Sequence, residues 1–116
     1  MTGPRVAILA QDLIWADRLA RAVEVAGGEP VRARSLAELE QALATSDRAL
    51  VDLTAIAYDG LAAVERARSL GARVLAVGQH DDHALRRQAL AAGAERVYAY
   101  RKLFEDGPTT VRRWLG

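Results

Sequence analysis

Short apolar runs alternate with segments of helical periodicity along the chain, and this alternation most constrains the fold. The runs predict five strands, at residues 5–10, 30–34, 48–53, 73–77 and 96–100. Strands that alternate with helices pair in parallel, because each helix carries the chain back along the sheet, and right-handed crossovers leave few topologies. The pattern therefore predicts an α/β, flavodoxin-like fold: a doubly wound five-stranded parallel sheet, order 2-1-3-4-5, with helices on both faces.

Recognisable capping residues mark several helix ends. Ser35 and Glu38 form a capping box, in which the serine oxygen accepts the N–H of Glu38 and the glutamate reaches back toward the cap. Gly93 lies just beyond the fourth helix, where glycine commonly ends helices. Pro108 suits the first turn of a short fifth helix, which leaves Phe104 in a preceding loop.

Length and composition limit the classes of function. The 116 residues fit a single domain, residues 1–116. The chain has no cysteine, which excludes disulfides and thiolate metal sites and agrees with a cytoplasmic location. A net charge of +1 gives no broad footprint for nucleic acid. No apolar run approaches the roughly 18 residues of a membrane span, and the start, residues 1–5, does not resemble a signal peptide.

An aspartate closes the third apolar run. Asp52 follows residues 49–51, and the pair Asp59-Gly60 opens a helix seven residues later. In doubly wound sheets, ligands bind at the carboxyl ends of the strands, near the switch point between strands 1 and 3. We therefore expect Asp52 in that crevice, beside Gln11 or Asp12.

The order and spacing of four stretches resemble the CheY-like receiver domain of two-component response regulators over almost the whole chain. The stretches are Asp52 to Gly60, Val74 to Asp82, Ala89 to Ala94, and the opening strand with Asp17-Arg18-Leu19 and the Ala26-Gly27-Gly28 turn. Ile56 replaces the usual proline of the phospho-aspartate loop. The resemblance implies a signalling domain that is not an enzyme, with a protein partner and Asp52 as phospho-acceptor.

The resemblance further implies two acidic residues at the end of strand 1, which help to hold Mg²⁺ beside the phospho-acceptor. Those positions carry Ala10 and Gln11. Asp12 follows at once, and it either reaches the pocket through an extra loop residue or caps the first helix. Asp52 and Asp12 would make a weak Mg²⁺ site at best. We therefore expect no resident cofactor.

Two further groups implied by the resemblance are replaced. Gly78 stands where a serine or threonine hydroxyl is usual at the end of strand 4. Tyr100 stands at the lysine position of strand 5, and Lys102 is a possible substitute, since it shares the strand parity of Tyr100. Val97 takes the position of the switch aromatic. The sequence therefore indicates a degenerate phosphorylation pocket.

These substitutions favour a stand-alone pseudo-receiver that signals through protein contacts without efficient phosphorylation. One alternative is a conventional single-domain response regulator, phosphorylated on Asp52 by a histidine kinase. Another is a small-ligand binder that uses the same crevice. His80 and His83 flank Asp81 and Asp82, and this cluster is interpreted as a helix cap rather than a metal site.

Aromatic residues concentrate near the end of the chain, in a region where receivers commonly pair. Four of the six aromatics lie there, and the predicted anchors are Tyr98, Tyr100, Leu103, Phe104 and Trp114. Such side chains dominate interface energetics, so we expect a partner surface, or a homodimer, on helix 4, strand 5 and helix 5. The alternative is that bulky residues pin the last helix to the sheet.

Overall fold

The computed structural model describes residues 3–116. Met1 and Thr2, the first two residues of the segment that does not resemble a signal peptide, lie outside the described residues. The strands are β1 Arg5–Leu9, β2 Glu29–Ala33, β3 Arg48–Asp52, β4 Arg73–Gly78 and β5 Arg96–Ala99. The helices are α1 Leu13–Val25, α2 Leu36–Leu43, α3 Gly60–Ser69, α4 His83–Ala92 and α5 Tyr100–Leu115. Each strand end lies within one residue of its predicted place.

All strand pairs are parallel, and the sheet order is β2-β1-β3-β4-β5. The predicted fold class is therefore confirmed. Leu9 pairs with Val51 across β1 and β3, and Asp52 pairs with Val77 across β3 and β4. This register brings the loop after β1 beside Asp52, at the switch point of the sheet.

Two apolar layers cover the sheet, because successive strand residues face opposite sides. One layer includes Leu9, Val51 and Val64 and joins the sheet to α2, α3 and α4. The other includes Ile8 and Leu50 and joins it to α1 and α5. Within residues 3–116, no helix combines the length and apolar character that a bilayer crossing requires.

The predicted helix caps are observed. The Ser35 hydroxyl accepts the N–H of Glu38 at 3.2 Å. The Glu38 carboxylate accepts the N–H of Arg34 at 2.9 Å, one residue before the cap. Asp59 caps α3 and Asp82 caps α4 through their side-chain oxygens. These contacts satisfy backbone donors that the first turn of a helix leaves without partners.

The last helix begins earlier than the sequence predicts. It starts at Tyr100, directly after β5, so Phe104 lies on a helix and not in a loop. Asp106 leaves the helical conformation, with φ −144° and ψ 29°, and the axis kinks there. Pro108 follows in the first turn after the kink, where its missing N–H costs no hydrogen bond. The proline therefore marks a restart inside α5 rather than its beginning.

Arginine side chains donate hydrogen bonds to the carboxyl ends of α1 and α5. Arg73 donates to the carbonyl oxygen of Trp114 at 2.9 Å, and Arg112 donates to that of Val25 at 3.1 Å. The last carbonyls of a helix have no partner within the helix and carry partial negative charge. These contacts hold α5 in a set position relative to α1 and the sheet.

Two glycines near Leu53 offer a matched test of the packing. A Cβ at Gly60 would lie 2.8 Å from the Cα of Leu53, whereas one at Gly78 would lie 3.5 Å from its Cδ1. We expect Gly60→Ala to lower the free energy of unfolding by about 1–3 kcal/mol, since backbone must shift. We expect Gly78→Ala to change it by less than about 1 kcal/mol. Urea unfolding measures both, and equal stabilities would contradict this packing.

Candidate functional site

Asp52 is the last residue of β3 and is only 4% exposed. Its position follows from the strand, because the preceding apolar residues bury β3 in the centre of the sheet. A carboxylate removed from water in this way requires hydrogen-bond donors from the protein. The surroundings of Asp52 supply them from its own loop and from the start of α5.

Three donors converge on one oxygen of Asp52. The N–H of Thr54 lies 3.1 Å from Oδ1 and the Thr54 hydroxyl lies 3.0 Å from it. The Tyr100 hydroxyl donates to the same oxygen and also contacts the Thr54 hydroxyl. Hydrogen bonds to an ionised acceptor are stronger than neutral ones. Asp52 is therefore held by a network whose outer member is Tyr100.

Tyr100 is half-buried at the first position of α5. Its ring meets the ring of Trp15 edge to face, with centroids 4.7 Å apart. Burial raises the pKa of the Tyr100 phenol, the hydrogen bond to Asp52 raises it further, and the contact with Thr54 opposes them. The phenol consequently keeps its proton and remains a donor to the carboxylate.

Tyr58 lies beneath this network in the loop between β3 and α3. Its hydroxyl is 2.7 Å from the carbonyl oxygen of Asp52 and 3.1 Å from that of Leu9. Burial raises the pKa of the Tyr58 phenol, and the charge of Asp52 raises it further. Tyr58 thus joins the carboxyl ends of β1 and β3 as a neutral donor.

Gln11 and Asp12 both have structural partners. The Gln11 Oε1 accepts the N–H groups of Ile56 and Ala57, at 2.9 and 3.1 Å. The Asp12 side chain caps α1 by accepting the N–H of Trp15 at 2.9 Å. The structure places both residues with Asp52 around an open cleft of about 410 Å³. The oxygens of Gln11 and Asp12 that accept these hydrogen bonds hold the loop after β3 and the start of α1 at the rim of the cleft.

The donor set around Asp52 does not fit the Mg²⁺ that the receiver resemblance implies. Mg²⁺ demands near-octahedral oxygen coordination and is usually held through carboxylates. Ala10 offers no side-chain ligand, and Gln11 and Asp12 accept backbone N–H groups. Oδ1 of Asp52 already accepts three hydrogen bonds. Residues 3–116 contain no cluster of three or more His, Asp or Glu arranged to hold a metal ion.

The structure shows where the other predicted pocket residues lie. Gly78 ends β4 and Val97 is buried on β5. Lys102 lies on α5 and pairs with Asp106 at 3.3 Å. Because the helix begins at Tyr100, the strand parity proposed for Lys102 does not apply. The tyrosine, and not this lysine, occupies the side of the pocket next to Asp52.

The predicted aromatic anchors do not form one surface, which corrects that expectation. Leu103 and Trp114 are each 6% exposed and belong to the core between the sheet and its α1/α5 layer. Tyr98 and Tyr100 are half-buried against the same core. Phe104 is 62% exposed and lies on the side of α5 that faces α1. Bulky residues thus pin α5 to the sheet, as the alternative interpretation holds.

Sequence reasoning missed the roles of Thr54, Tyr58 and Trp15. The spacing of Thr54, two residues after Asp52, is typical of side chains that bond to a nearby aspartate in a turn. A buried tyrosine usually finds a hydrogen-bond partner, but nothing in the sequence identified Leu9 as that partner of Tyr58.

Known structures share this fold. No protein-family model and no curated protein sequence matches the chain. A response regulator from Thermotoga maritima superposes with a TM-score of 0.82 at 19% identity, covering 97% of this chain and 98% of that one. The receiver domain of the putative response regulator NarL from Mycobacterium tuberculosis gives 0.80 at 24% identity, covering 99% and 98%.

A third structure is a Burkholderia pseudomallei response regulator with a phosphorylated aspartic acid, a calcium ion and citrate. It gives a TM-score of 0.74 at 20% identity, covering 96% of this chain and 72% of that chain. The chain therefore has the CheY-like fold of response-regulator receiver domains, over nearly its whole length.

The two buried phenols predict an alkaline loss of stability. Their pKa values lie above the usual value of 10 in the folded protein, so the unfolded chain loses these protons first. Stability is complete below about pH 10 and falls as the pH rises above it. We expect urea unfolding to show this fall above about pH 10. The double variant Tyr58→Phe with Tyr100→Phe should flatten it, and an unchanged slope would contradict the assignment.

Proposed function

We propose that this chain is a degenerate receiver-like signalling domain of the cytoplasm, which is not an enzyme and acts through contacts with a protein partner. In this proposal Asp52 is a structural centre and is not phosphorylated efficiently. The receiver fold supports the signalling role. The observation that carries the proposal is the hydrogen bond from Tyr100 to Asp52, at the position where a receiver lysine is expected.

Phosphoryl transfer to Asp52 would lack the metal ion and the lysine that normally compensate charge, although Arg34 lines the same cleft. Negative charge on the transferring oxygens is normally neutralised by metal ions and cationic donors aimed at them. Tyr100 supplies a neutral phenol, and Gly78 supplies no hydroxyl. The three hydrogen bonds to the Asp52 carboxylate all fall on Oδ1, so attack through that oxygen would break them, and bonds to a charged group contribute about 1.5–3 kcal/mol each. The replaced lysine and hydroxyl raise the barrier for attack through either oxygen.

The same network favours a single conformation of the domain. Tyr100 bonds to Asp52 through its hydroxyl and packs against Trp15 through its ring, so the start of α5 is tied to both β3 and α1. A phosphorylation switch needs a group that changes position when the charge on Asp52 changes. Here the hydrogen-bonded tyrosine supports a fixed binding module instead.

A conventional response regulator is the second candidate, in which a histidine kinase phosphorylates Asp52. The favouring observation is the position of Asp52 at the end of β3, at the edge of an open cleft of about 400 Å³. The similar Burkholderia structure contains a phosphorylated aspartic acid. A small-ligand binder is a further alternative, and its support is limited to the cleft itself.

Intact-mass measurement after incubation with acetyl phosphate and Mg²⁺ tests the proposal. We expect the wild type to stay unmodified, because Tyr100 takes the place of the expected lysine and the donor set around Asp52 does not fit Mg²⁺. The variant Gln11→Asp, Gly78→Ser, Tyr100→Lys restores three receiver groups and should take up more phosphate than the wild type. Asp52→Asn is the control for the site of modification. Substantial, Asp52-dependent phosphorylation of the wild type would refute the proposal.

A homodimer through α4, β5 and α5 is the less favoured form of the partner proposal. Two of its predicted anchors, Leu103 and Trp114, are already buried within the protomer. Tyr98 is half-buried and offers a reduced contact area. We therefore expect a monomer in light scattering across a wide range of protein concentrations. A concentration-dependent dimer that Tyr98→Ala abolishes would restore the homodimer.

A further inference from the structure

A groove runs between α1 and α5 on the surface away from the sheet. We call it the α1/α5 groove, and it is lined by Arg18, Arg21, Ala22, Val25, Leu103, Phe104 and Pro108. Its volume is about 170 Å³. An apolar cavity of about 150 Å³ holds a benzene molecule, so the groove has room for one large apolar side chain.

Exposed apolar side chains follow this seam. Phe104 is 62% exposed and Val25 is 52% exposed. Ile14 is 72% exposed and lies one turn before Arg18, on the same stripe of α1. Neighbouring exposed apolar groups with a polar rim are typical of protein interaction sites.

The rim of the groove is positively charged. Arg18 and Arg21 form no ion pair with the acidic groups of residues 3–116. The Arg18 guanidinium lies 4.3 Å from the centroid of the Phe104 ring. A guanidinium stacked on an aromatic ring keeps its N–H fork available for a carboxylate.

No carboxylate belongs to the lining of the groove within the described part of the chain. On the adjoining surfaces Asp17 pairs with Arg32, and Glu105 pairs with Arg101. Glu24 on α1 lies one turn from Arg21 and forms no ion pair with it. The groove therefore combines an apolar floor with two arginines that no carboxylate of residues 3–116 pairs with.

We infer that the α1/α5 groove binds a peptide segment of a different protein, with one large apolar side chain flanked by Asp or Glu. The apolar side chain enters beside Phe104 and Val25, and the carboxylates meet Arg18 and Arg21. This inference rests on the proposed function, in which the domain acts through protein contacts. It adds the place of contact and the chemistry of the partner.

A second copy of this chain fits the groove poorly. A two-fold dimer presents the same patch on both subunits, so Arg18 and Arg21 would face their own equivalents. Like charges brought together at an interface oppose association. An acidic, apolar segment complements both features of the groove, and electrostatic complementarity selects such a partner over a copy of the chain.

Selection from a random peptide display library on the full chain tests the inference. We expect enriched peptides to carry Leu, Ile, Phe or Trp beside Asp or Glu. Their affinity should fall at least about tenfold for Phe104→Ala and for Arg18→Glu with Arg21→Glu, because an anchor or its charge partners are lost. Added salt should weaken binding. Arg86→Glu with Arg87→Glu makes the same charge change on α4 and should leave the affinity unchanged.

Circular dichroism of each variant confirms that the exposed substitutions leave the fold intact. The inference is overturned if no peptide is enriched, or if the selected peptides are basic. It is also overturned if the groove variants bind as tightly as the wild type, or if Arg18→Glu with Arg21→Glu abolishes a homodimer in light scattering. The intact-mass measurement of Asp52 phosphorylation tests the proposed function separately, because peptide affinity does not measure phosphorylation.

Discussion

The buried carboxylate of Asp52 requires donors, because a charge removed from water is costly unless the protein solvates it. The donors come from Thr54 in the following loop and from Tyr100 at the start of α5. The ring of Trp15 on α1 packs edge to face against that of the tyrosine. Satisfying one carboxylate therefore ties the central strand to the loop after β3 and to both helices of one layer.

The parallel sheet makes this arrangement possible. Parallel strands in this order bring the ends of β1 and β3 together, and Tyr58 and Gln11 join the two ends by hydrogen bonds. In the receiver fold the same crevice is where the resemblance places a metal ion and a phosphoryl group. Here internal hydrogen bonds engage Asp52, Gln11 and Asp12 around an open cleft, and Tyr100 contacts Asp52 where the resemblance leads one to expect a lysine. On the α1/α5 surface, by contrast, Arg18 and Arg21 beside the groove form no ion pair within residues 3–116.

That surface is a consequence of how α5 is built. The helix starts at Tyr100, so four residues later Phe104 points along α1 while Leu103 enters the core. The helix kinks at Asp106, and Pro108 lines the groove together with Val25 and Ala22. Tyr100, which contacts Asp52, and Phe104, which borders the groove, thus lie one helical turn apart.

The sequence by itself determined the strand and helix order and the capping box at Ser35, and it indicated an aspartate of the pair Asp81-Asp82 as the cap of α4. Each of these depends on residues close together in the chain, where periodicity and capping act. Only the tertiary structure decided that Tyr100 bonds to Asp52 and that Gln11 holds the loop after β3, since these partners are 48 and 45 residues apart. It also decided that Leu103 and Trp114 are core residues and Phe104 is not. A bulky apolar residue suits a core and an interface equally, and only the packing of α5 against α1 and the sheet distinguishes them.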